Sequence, residues 1–164
     1  MERTDAKMAK RYYIAYGSNL NIRQMQARCP GARIIGTAEL EGYRLMFKGS
    51  MTGSYLTVEP EDGCSVPVAA WEVTAEDERA LDRYEGFPSF YYKKELVLPI
   101  KGIKSGKVRR RTAFVYIMHE ERPFGIPGRG YMRTCAEGYH DFGFNTGTLM
   151  EAYAFSQKKA GAQE

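Results

Sequence analysis

Apolar residues in this chain recur with two different periods, and the points where one period replaces the other mark the elements. Tyr12-Tyr13-Ile14-Ala15 is a short run of β-formers that stops at Gly17-Ser18-Asn19, so a strand ends there in a turn. Ile22 and Met25 then fall three apart behind Asn21, which predicts a helix capped by that asparagine and ended by Cys29-Pro30-Gly31. Extended segments follow at residues 33–40, 42–48, 55–58 and 65–73, with turns at Glu41-Gly42, at 49–53 and at 59–63. In the last of these strands both alternating sets are apolar, Val66, Val68 and Ala70 on one face and Ala69, Trp71 and Val73 on the other, which predicts a central position.

Thr74-Ala75-Glu76-Asp77 reads as a capping box. The helix behind it is expected to bury Ala80, Leu81 and Tyr84 and to stop at Gly86, which leaves Glu85 in its last turn. Strands are predicted from Phe90 to Ile100 and from Val108 to His119 around a Gly-rich basic loop, residues 101–107. Beyond a Pro/Gly loop at 120–129, Tyr131, Cys135, Tyr139 and Phe142 stand at helical spacing, and Leu149, Met150 and Tyr153 predict another helix behind Asn145-Thr146. About seven strands with helices inserted or appended give an α+β class, a mostly antiparallel curled sheet with helices at its mouth. The expected domain is single and spans residues 11–156, with flexible polar tails at 1–10 and 157–164.

Composition narrows the function classes. The 24 basic and 20 acidic residues are interleaved and leave a net charge of only +4, so charge alone does not make a nucleic-acid binder. Lys101, Lys104, Lys107, Arg109, Arg110 and Arg111 read as a solvated hairpin tip. The three cysteines are widely spaced and the two histidines are isolated, which argues against a disulfide framework, a metal site or a Cys/His pair, and fits a reducing cytoplasm. No signal-like or membrane-spanning apolar run is present, so a cytoplasmic protein with no membrane partner is expected.

Two stretches can carry chemistry. Tyr16-Gly17-Ser18-Asn19-Leu20 joins a strand end to a helix start, and such a joint leaves amide N–H groups free to meet an anion. Glu85 sits at the negative end of a helix dipole with Tyr84, Phe87, Phe90 and Tyr91 near enough in sequence to desolvate it, and both effects raise a carboxyl pKa toward the range of a general base. Ser18 as a covalent nucleophile is disfavoured, because the Gly-x-Ser-x-Gly elbow and a well-placed histidine are both missing.

Taken together, Tyr16 to Leu20 and the later Leu81-Asp82-Arg83-Tyr84-Glu85-Gly86-Phe87-Pro88, with Tyr91 beyond, resemble the gamma-glutamylcyclotransferase-like superfamily in order and separation. The resemblance extends weakly through Tyr131 to Leu149. It implies a small, closed or nearly closed β-barrel with helices at one end, and a site that needs no metal or cofactor. It further implies a small-molecule γ-glutamyl substrate that cyclises to 5-oxoproline and releases an amine. Glu85 would then be the acid and base, and Tyr16, Gly17, Ser18, Asn19, Leu20, Tyr91 and Tyr131 the substrate-binding residues. The alternative is a binding or regulatory module that keeps the scaffold without turnover. The length between Gly86 and Tyr131 is expected to shape the leaving-amine side.

Overall fold

A computed structural model describes residues 10–50 and 52–162. The strands are β1 (Arg11–Ala15), β2 (Arg33–Ser50), β3 (Gly53–Val73), β4 (Tyr91–Gly102) and β5 (Val108–Met118). The helices are α1 (Ile22–Arg28), α2 (Ala75–Glu85), α3 (Arg129–Asp141) and α4 (Gly147–Ala162), with a 3-10 turn at Ser18–Leu20. The strands close into a barrel in the order β1-β3-β2-β4-β5. All pairings are antiparallel except the closing one, where Tyr13 of β1 meets Phe114 of β5 in parallel. The fold class expected from the sequence is therefore the observed one, an α+β mixed barrel with helices packed on it.

The strand count differs from the expected seven because two of the predicted turns are irregularities inside long strands. Pairing of β2 with β3 passes from Glu41↔Ser65 to Tyr43↔Pro60, so Gly42, at φ 79°, faces an excursion of β3 that includes Gly63, at φ 85°. A glycine with positive φ bends a strand without ending it. The distal arm of this long hairpin carries Leu56 back to the barrel mouth, where it is fully buried. The basic residues Lys101, Lys104, Lys107, Arg109 and Arg110 are exposed at the β4–β5 hairpin.

The core is one cluster of buried apolar side chains, including Ile14, Val68, Trp71, Phe114 and Tyr116. Helix α2 is pinned to the barrel wall by charge: Lys93 of β4 lies 2.6 Å from Glu78 and 2.9 Å from Asp82, and the Tyr116 hydroxyl donates to Asp82 at 2.6 Å. Leu81 points into the core, whereas Ala80 is half-buried and Tyr84, expected in the core, keeps 43% of its surface exposed. Helix α4 continues to Ala162, past the frayed end expected after residue 156. Ser156 is fully buried there and its hydroxyl accepts from the Phe47 amide at 2.8 Å, a tie that residue type alone does not announce. Of the expected N-terminal tail only Lys10 is described; the rest, with residues 163–164, lies outside the described residues.

Candidate active site

The loop after β1 is held from three directions. Its 3-10 turn closes through Leu20 N to Gly17 O at 3.0 Å and Asn21 N to Ser18 O at 3.0 Å. Asn21 then caps α1 by accepting from Gln24 N at 3.2 Å, and the Ile22 amide donates to Asp141 at 3.0 Å. Two amides in the first turn of α1, those of Ile22 and Gln24, are thus taken by protein side chains. On the far side α3 lies against the turn at Gly138, where a Cβ would fall 2.6 Å from Asn21 N and from the Leu20 carbonyl carbon. Only a residue without a side chain lets the helix approach so closely.

What this packing leaves open is the first half of the loop. The amides of Gly17, Ser18 and Asn19 donate to no backbone acceptor among the described residues. These three residues line a narrow inner cavity of about 20 Å3, and Tyr13, Tyr16, Leu56, Glu85, Tyr91 and Tyr131 form the rest of its wall. Six of the seven expected binding residues therefore meet Glu85 at one place. Leu20 does not: its side chain is fully buried in the core and its amide is spent on Gly17.

Glu85 arrives from the opposite side, in the last turn of α2, which Gly86 ends at φ 64°. Burial of its carboxyl group pushes the pKa up from 4.5 to about 8, and the positive charge of Arg28 opposes that rise. A buried carboxyl with no hydrogen bond to its ionised form prefers to hold its proton. Arg28 itself lies with its guanidinium 3.5 Å over the Tyr84 ring and donates to the Asn19 side-chain oxygen.

The tyrosines fix the wall. Tyr16 donates to the Tyr116 carbonyl at 2.7 Å, Tyr91 donates to the Leu56 carbonyl at 2.8 Å, and the Tyr131 hydroxyl accepts from the Leu56 amide at 3.1 Å. Tyr13 accepts from the Asn19 side-chain amide at 2.9 Å. Burial holds all four phenols well above their usual pKa, with the nearby Glu85 adding to the effect, so they act as neutral hydroxyls. Ser18 shares a 2.9 Å hydrogen bond with the Tyr84 hydroxyl, and a phenol is no base for serine activation at neutral pH.

From this junction a wider cleft of about 340 Å3 opens outward. Ser18, Glu85, Tyr91 and Tyr131 belong to both spaces, and Ser50, Thr52, Tyr55, Arg83, Tyr84 and Phe90 line only the outer one. The interval between Gly86 and Tyr131 thus supplies only Phe90 and Tyr91 to that lining, and the β2–β3 hairpin supplies Ser50, Thr52 and Tyr55. Sequence reasoning missed Tyr13, Arg28 and Leu56. Tyr13 carried a usable signal, since it stands in the run that leads into the loop; the other two come to the site only through tertiary contacts.

A family model described as "Gamma-glutamyl cyclotransferase, AIG2-like" matches residues 13–133. No curated protein matches the chain. Among solved structures, uncharacterized protein loc79017 from Homo sapiens is 23% identical with a TM-score of 0.71, and the match covers 87% of this chain and 86% of that one. A gamma-glutamyl cyclotransferase is 24% identical with a TM-score of 0.69, over 88% of this chain and 86% of that one. YkqA from Bacillus subtilis is 17% identical with a TM-score of 0.70, over 95% of this chain and 57% of its own. At such identities the structural likeness is one of fold. The family match covers well over half of the chain, including both the loop and Glu85, and so the chain belongs to the gamma-glutamyl cyclotransferase, AIG2-like family.

Proposed function

We propose that this protein is a cofactor-independent cyclotransferase that converts a γ-glutamyl amide into 5-oxoproline and a free amine, with Glu85 moving the proton. One observation carries the proposal: Glu85, whose carboxyl is buried and has no hydrogen-bond partner among the described residues, lines the same cavity as Gly17, Ser18 and Asn19, whose amides meet no backbone acceptor among them. The amides suit the substrate's α-carboxylate or a developing oxyanion, because backbone N–H groups held by packing need no reorganisation. The carboxylate form of Glu85 suits the α-ammonium group.

The substrate carries its own nucleophile, so proximity is already supplied and the protein needs chiefly a tuned base. Glu85 takes a proton from the α-ammonium group. The neutral amine attacks the γ-carbonyl carbon, a C–N bond forms and closes a five-membered ring, and the carbonyl oxygen becomes an oxyanion. As that intermediate collapses, the bond to the other nitrogen breaks, Glu85 returns its proton to the leaving amine, and the ring nitrogen gives up its second proton by way of the freed Glu85 carboxylate to that amine, which departs as an ammonium ion. The tyrosine wall limits the hydration of the carboxyl and so supports its raised affinity for protons.

The test is 5-oxoproline release from γ-glutamyl substrates by the wild type and by Glu85→Gln. Loss of general acid–base catalysis is expected to lower kcat by about 10²–10⁴-fold. Equal rates for the two proteins would overturn the assignment, and tight binding of γ-glutamyl compounds without product would favour a binding module instead. Because the free enzyme must lose the Glu85 proton to act as base, kcat/KM is expected to rise with pH through about 8.

A further inference from the structure

The two ends of β4 differ in what they present. Tyr91 at its start lines the cavity, whereas Gly102 at its end opens the β4–β5 hairpin, about 30 Å away along an extended strand. The hairpin tip is tied in place: the Gly102 amide donates to the Lys107 carbonyl at 2.8 Å, and the Ile103 amide to the Ile35 carbonyl at 2.9 Å. Leu98 and Ile100 are buried in the core, so the alternate residues Val97, Pro99 and Lys101, with their β5 partners Thr112, Arg110 and Val108, form an outward face. On it Val97 is 52% and Val108 62% exposed, and Ile103 in the adjoining turn is 56% exposed. Lys101, Lys104, Lys107, Arg109 and Arg110 stand exposed around these side chains and join no ion pair among the described residues. No Asp or Glu occurs between Glu95 and Glu120, so neighbours in sequence do not neutralise the patch.

We propose that this hairpin tip is a docking surface for an anionic lipid bilayer. The solvent-facing side of an antiparallel pair ordinarily carries polar residues, and aliphatic side chains clustered there mark a surface that meets a partner. A bilayer answers both features of the tip at once. Its anionic headgroups attract the five cations, and the boundary beneath the headgroups takes up Ile103 and Val108. A single-stranded nucleic acid answers only the charge, since the sequence between Tyr92 and Phe114 has no aromatic residue on which a base can stack. A tip that lies on a bilayer needs no spanning segment, and none of the described helices is long and apolar enough to cross one. Docking at this end of β4 leaves the cleft at the other end uncovered, and the proposal does not depend on the role of Glu85.

Cosedimentation of the full chain with phosphatidylcholine vesicles that contain phosphatidylserine, against vesicles of phosphatidylcholine alone, tests the proposal. Binding is expected to the anionic vesicles only and should weaken as salt is raised. The double variant Lys104→Glu, Lys107→Glu should weaken it by about tenfold or more, since each cation near an anionic surface contributes about fivefold. Ile103→Ser with Val108→Ser keeps every charge and should also weaken binding, by about fivefold or more. Lys158→Glu with Lys159→Glu makes the same change in net charge on exposed positions of α4, and should leave binding nearly unchanged. Ile103→Trp should show blue-shifted emission on anionic vesicles, above a constant signal from the buried Trp71. Every position changed at the tip is exposed, so these variants retain the fold, which thermal melting checks. Failure of the wild type to bind anionic vesicles, an equal loss in the α4 variant, or no emission shift would each overturn the proposal. Wild-type binding by the Ile103, Val108 variant would overturn it too, and single-stranded RNA binding that the Lys104, Lys107 variant loses would then make the tip a nucleic-acid surface.

Discussion

The two ends of helix α2 are built to opposite specifications. At its N-terminus Thr74 accepts from Asp77 N at 3.0 Å, Asp77 accepts from Thr74 N at 3.1 Å, and the Gly31 amide also donates to Asp77 at 3.2 Å. The acidic residues Glu76, Asp77 and Glu78 stand in the first turn, where the helix dipole favours them. At the C-terminus the same residue type appears where the dipole opposes it, and burial disfavours the charge of Glu85 while the positive charge of Arg28 pulls the other way. The first end holds the helix in place. The second leaves a polar group unmatched, and an unmatched group at the edge of a cavity is one that a ligand can satisfy.

The largest expected effect comes from relieving the unmatched end. The folded chain holds the Glu85 proton up to about pH 8, whereas a free glutamate releases it near 4.5. Between those values the native state binds more protons than the unfolded state, so stability falls as pH rises through that window. Glu85→Gln removes the ionisation. Its thermal stability should match the wild type below the lower value and exceed it by about 2–4 kcal/mol above pH 8, a figure reduced from the full shift because Glu85 keeps some exposure. Denaturation curves at acid and alkaline pH check this, and an equal gain at both pH values would mean that burial is not the cause.

Disabling the matched end should act in the other direction and by less. Asp77→Ala removes the carboxylate half of the reciprocal cap and orphans the Thr74 and Gly31 amides, while the Asp77 amide keeps its bond to the Thr74 hydroxyl, for a loss of about 1–2 kcal/mol in urea unfolding. The rate of 5-oxoproline release per folded molecule should change little, since the helix stays tied through Lys93 to Glu78 and Asp82. A large drop in turnover with normal stability would show that the two ends are not separable.

The same contrast explains what could be read from the sequence. Thr74, Asp77 and Gly86 are local signals, visible within a few residues, and they locate Glu85 at the helix end without any knowledge of the barrel. The loop at Gly17 to Asn19 was equally legible, because small residues behind a β-rich run mark a turn. Its role in the cavity was not, since that depends on which amides the neighbouring elements satisfy. Leu20 was lost to the core, and the Ile22 amide to Asp141, through contacts from across the chain. Leu56 gathers Tyr91 and Tyr131 through its carbonyl and amide, which no side-chain pattern reveals. The two long strands were read as four short ones because Gly42 and Gly63 are turn residues by type and bulge residues in place.

The central claim is that burial at the end of α2 turns Glu85 into a group that gives and takes protons near neutral pH. Its most direct test is a titration of the Glu85 side-chain carboxyl by NMR in protein carrying ¹³C-labelled glutamate, with Glu85→Gln identifying the resonance. A midpoint near about 8 is the predicted result, and a midpoint at the ordinary 4.5 would contradict it.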